Sequence, residues 1–107
     1  MALSETEAIR LTVLETLALA AATASLIEDE LKDVLPIAGV LPADRINRAL
    51  VILTLTELER AGLAFGYWAG SDAAEHEQQR SDAEQGWAIT AAGTAELKRL
   101  SDRAVDS

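Results

Sequence analysis

Val51-Ile-Leu-Thr-Leu-Thr-Glu-Leu-Glu-Arg-Ala-Gly-Leu-Ala-Phe-Gly-Tyr-Trp68 is followed, after a polar stretch, by Gly86-Trp-Ala-Ile-Thr-Ala-Ala-Gly-Thr-Ala-Glu-Leu-Lys-Arg-Leu100. Val51, Leu55 and Leu58 fall four and three apart, the spacing of one helix face. Gly62 supplies a residue that adopts the left-handed conformation at which helices end. Phe65 and Tyr67, then Trp87 and Ile89, place aromatic or branched residues at every second position, the period of a strand. Thr90 is a suitable cap for a new helix. The predicted order is therefore helix, strand, loop, strand, helix.

Outward from this segment the chain reads as helical. Ser4-Glu-Thr-Glu7 is a capping box, in which hydroxyl and carboxylate satisfy amides reciprocally at a helix start. A first helix is expected from about Glu5 to the early twenties, with Ile9, Leu11, Val13, Leu14, Leu17 and Leu19 spread over more than one stripe. Ser25-Leu-Ile-Glu28 offers a second capping box that starts a second helix; because nothing between the two helices is Gly or Pro, one continuous helix is the alternative. Pro36 ends the second helix, Pro36 to Pro42 forms a turn, and a third helix is expected from about Asp44 to Ala61. The strands fall at Ala64–Ala69 and Trp87–Thr90, the loop at about Gly70–Gln85, the last helix from Ala91 to about Arg103, and residues 104–107 are expected to fray.

A length of 107 residues fits one domain, and 50% hydrophobic residues allow a packed core, built from Leu, Ile, Val and Ala because only 4% are aromatic. The absence of cysteine excludes disulfides and thiolate chemistry, and suits a cytoplasmic location. The apolar run Leu11–Ala24 is not read as a signal peptide: Glu5 and Glu7 stand where a basic region is needed, and Glu15 interrupts it. It is also too short and too polar to cross a membrane.

The segment from Ala49 to about Leu100 resembles a winged helix-turn-helix domain, especially the PadR type and more loosely the MarR type of transcriptional regulator. The motifs that carry the likeness are Glu59-Arg-Ala-Gly-Leu63, the Gly66-Tyr67-Trp68 segment, and Trp87-Ala-Ile-Thr90 followed by Gly93. The resemblance implies a mainly α fold with a two-stranded β-wing, in which the third helix reads DNA and the two strands form the wing. It also makes conceivable an aromatic-lined pore between two subunits, though the last helix here carries no aromatic to line one.

The positions that such a regulator uses do not suit DNA. With Val51, Leu55 and Leu58 inward, the outward side of the third helix holds Ile46, Leu50, Leu53 and Glu57. Base edges present hydrogen-bond donors and acceptors, which three aliphatic side chains and an acid do not match. The wing loop carries Asp72, Glu75, Glu77, Asp82 and Glu84 against Arg80 and His76, within a chain of formal net charge −9. Phosphate contacts supply most nonspecific affinity, and this balance repels phosphate.

The remaining residues give no catalytic constellation and no cofactor motif, so no enzyme is expected. Trp68 and Trp87 are expected to pack at the hairpin base. Glu75-His76-Glu77 is a solvated loop before it is a metal site, because no second ligand cluster accompanies it.

Three function classes follow. The leading expectation is a protein of regulator ancestry that acts by protein–protein contact, with Ile46, Leu50, Leu53 and Glu57 at the partner face. An alternative is a DNA-binding regulator using Arg45, Arg48 and Arg80, and a third is an acidic inhibitor that imitates DNA. A homodimer is expected through the first helix, the last helix, or both, with Leu14, Leu97 and Leu100 at the contact, because the first helix carries more apolar surface than one small core needs.

Overall fold

The computed structural model describes residues 3–68 and 85–105. Helix α1 (Glu5–Leu19) starts at the capping box as expected: the Ser4 hydroxyl accepts from the Glu7 amide at 3.1 Å, and the Glu7 carboxylate accepts from the Ser4 amide at 3.1 Å. It ends earlier than the sequence suggests. The backbone turns extended at Ala20, and Ala22–Thr23 forms a short strand, β1. Thr23, not Ser25, caps helix α2 (Ala24–Val34), its hydroxyl accepting from the Leu26 amide at 3.4 Å. Extended backbone at these residues separates α1 from α2 without any Gly or Pro.

After α2 a short 3-10 turn (Ala43–Arg45) precedes helix α3 (Arg48–Arg60), which Asn47 caps by accepting from the Leu50 amide at 2.9 Å. The expected helix start at Asp44 therefore moves to Arg48. Ile46 lies ahead of the helix in extended backbone and is buried. At the other end Gly62, with φ of 77°, turns the chain out. Its amide donates to the Glu59 carbonyl at 3.0 Å and the Leu63 amide to the Leu58 carbonyl at 2.8 Å, a Schellman pair that satisfies the last carbonyls of α3.

Strands β2 (Ala64–Trp68) and β3 (Gln85–Ile89) pair antiparallel from Ala64↔Ile89 to Trp68↔Gln85, and helix α4 (Ala91–Val105) follows. The expected two-stranded hairpin is a three-stranded sheet in the order β1-β3-β2, because Ala22 and Thr23 pair with Trp87 and Gly86 on the other side of β3. The mainly α architecture with a small antiparallel sheet is compatible with a winged helix.

One contiguous core runs between these elements, with Val13, Leu14, Ile27, Leu31, Val51 and Leu55 fully enclosed. Helix α1 packs against α2, α3, α4 and β3 of its own chain, so its broad apolar surface has its neighbours without a second subunit. Leu14 and Leu100, expected at a dimer contact, are 0% and 1% exposed inside this core, and Leu97 is half-buried against it. Thr12 and Thr54, also buried, donate their hydroxyls to the carbonyls of Ala8 and Leu50 at 3.0 and 2.9 Å. Trp87 is buried as expected at the sheet; the Trp68 side chain lies outside the described residues.

Thr90 joins the end of α3 to the start of α4. Its hydroxyl donates to the Gly62 carbonyl at 2.7 Å and accepts from the Gly93 amide at 2.9 Å, while its own amide donates to the Leu63 carbonyl at 3.1 Å. Gly93 sits so close to this junction that a Cβ there would stand 2.0 Å from the Leu63 carbonyl oxygen. At Gly86 a Cβ would meet the Tyr67 ring instead, at 2.6 Å, where the Tyr67 side chain covers its cross-strand glycine.

These two glycines give a paired prediction. Helix propensity alone makes Gly93→Ala stabilising by about 1 kcal/mol. The close backbone contact reverses the sign, and urea unfolding is expected to show a loss of about 1–3 kcal/mol or more. Gly86→Ala costs less, because the partly exposed Tyr67 ring can swing aside while a backbone carbonyl cannot.

Candidate functional site

Helix α3 carries its apolar residues on two sides. Val51, Leu55 and Leu58 point into the core, as their spacing predicts. On the outer side, Arg48, Ala49, Ile52, Leu53, Thr56 and Glu57 line an open hollow of about 570 Å³, and Arg60 closes its end. A smaller hollow of about 160 Å³ lies between α1 and α3, lined among others by Thr6, Ile9 and Leu50. Leu53 and Glu57 border both, so they stand as a ridge between the two depressions. Leu53 is 57% exposed at the middle of the helix.

The structure redistributes the expected partner residues. Ile46 belongs to the core at 3% exposure, so it does not continue the stripe through Leu50 and Leu53. The expected stripe assumed helical phase back to residue 46, and the Asn47 cap breaks that phase. Leu50 is half-buried and faces the smaller hollow, while Leu53 and Glu57 are exposed as expected. Ala49, Ile52 and Thr56 complete the outer face and were missed. Ala49, Ile52, Leu53 and Thr56 are three or four apart, so the helical spacing itself places them on one side.

The charged groups around the hollow are largely engaged with one another. Arg48 bonds the Glu28 carboxylate at 2.8 Å, and Lys32 reaches the same carboxylate at 2.9 Å. These two cations, Lys32 first, hold the Glu28 carboxyl below its ordinary titration range. Arg10 of α1 approaches Glu57 of α3 at 3.7 Å. Arg103 of α4 pairs with Glu7, tying the last helix to the first. The Glu7 carboxyl is also held low, chiefly by the Ser4 amide that it accepts. Arg45 is exposed in the 3-10 turn; Arg80 lies outside the described residues.

The hydrogen-bonding capacity of the outer face is small. Thr56 donates its hydroxyl to the Ile52 carbonyl at 2.8 Å, and Thr54, buried, donates to Leu50. Neither donor is directed at a ligand. Among the described residues no group of three metal-ligating side chains comes together. The acidic loop residues 72–84, with Glu75, His76 and Glu77, lie outside the described residues. Among the described residues no helix is long and apolar enough to cross a membrane.

No family model, curated protein or solved structure matches this chain. The PadR and MarR likeness thus rests on the residues themselves and on a fold compatible with a winged helix.

The Glu28 cluster predicts a specific pH dependence. A carboxyl whose folded pKa is lowered contributes stability that is fully present above its unfolded value, about 4.3 for glutamate. That contribution is lost as pH falls through the lowered folded value. Glu28→Gln should therefore cost stability near about pH 7 and progressively less towards about pH 3. Urea unfolding of both proteins across this range measures the difference; a cost that persists undiminished in acid contradicts the ion-pair assignment.

Proposed function

We propose that this chain acts by protein–protein contact through the outer face of α3, where a DNA-reading winged helix would present its recognition surface. The observation that carries the reading is Leu53, 57% exposed and flanked by Ala49, Ile52 and Thr56 on the side of α3 away from Val51, Leu55 and Leu58. A base-reading helix needs directed donors and acceptors at these positions. Here they are aliphatic, or carry a hydroxyl already bonded to the helix backbone. Apolar surface of this kind marks contact sites when it is contiguous.

Charge supports the same reading. Arg48, one of the three cations on which DNA binding would rest, is held by Glu28. The chain carries 18 acidic against 9 basic residues. An acidic protein binds DNA through a local basic patch, and the α3 face sets Glu57 beside its arginines. The location that fits this reading is the cytoplasm.

The test is DNA binding itself. Fluorescence anisotropy with pooled duplexes at about 150 mM salt is expected to show half-saturation above about 10 μM, the weak nonspecific range. A sequence-selective complex tighter than that at the same salt overturns the proposal in favour of a DNA-binding regulator.

A further inference from the structure

We draw no further inference here: the strongest candidate, the outer face of α3 around Leu53, is an unpartnered apolar helix face, and nothing in the structure shows what covers it.

Discussion

The Thr90 junction is the constraint on which the rest of the structure depends. Three hydrogen bonds, to Gly62, Leu63 and Gly93, fix the exit of α3 against the entry of α4. They do so where β2 begins and β3 ends, so one residue sets the pairing register of the sheet and the direction of the last helix together. Gly93 lets the first turn of α4 lie on the Leu63 carbonyl. From there Leu100 enters the core and Arg103 reaches Glu7 at the start of α1. The outer face of α3 is presented as it is because both ends of that helix are held, by Asn47 at one and the Schellman pair at the other.

Much of this was legible in the sequence where a local rule and a packing rule agree. Ser4 and Glu7, Gly62, Thr90, and the inward trio of Val51, Leu55 and Leu58 carry their roles in their spacing. What was not legible depends on contacts distant in the chain. Strand β1 has two residues, too few to show alternation, and exists because Ala22 meets Trp87 across the sheet. The break between α1 and α2 has no Gly or Pro to announce it, and Thr23 competes with Ser25 as a cap with equal chemistry. Helix α1 shows why apolar excess is a poor sign of a dimer: α4 covers the stripe assigned to a second subunit.

The candidate site was half legible, for a reason of phase. Leu53 and Glu57 are exposed, as helical spacing well inside α3 predicts. Ile46 was misplaced because its apolar character fits both an outward stripe and a buried residue before a cap, and only the Asn47 hydrogen bond separates the two. Ile52 and Thr56 lie beside Leu53 on the outer face by their helical spacing, a signal the search for an apolar stripe passed over.

The absence of cysteine allows the α3 face to be probed by single engineered thiols. Leu53→Cys stands at the centre of that face, and Leu19→Cys and Ile37→Cys, at positions 88% and 89% exposed and outside it, serve as references. Alkylation of each folded chain is timed with and without an excess of pooled duplex DNA. A face that does not read DNA leaves the Leu53→Cys rate unchanged relative to the references. Selective protection of Leu53→Cys by DNA would contradict it.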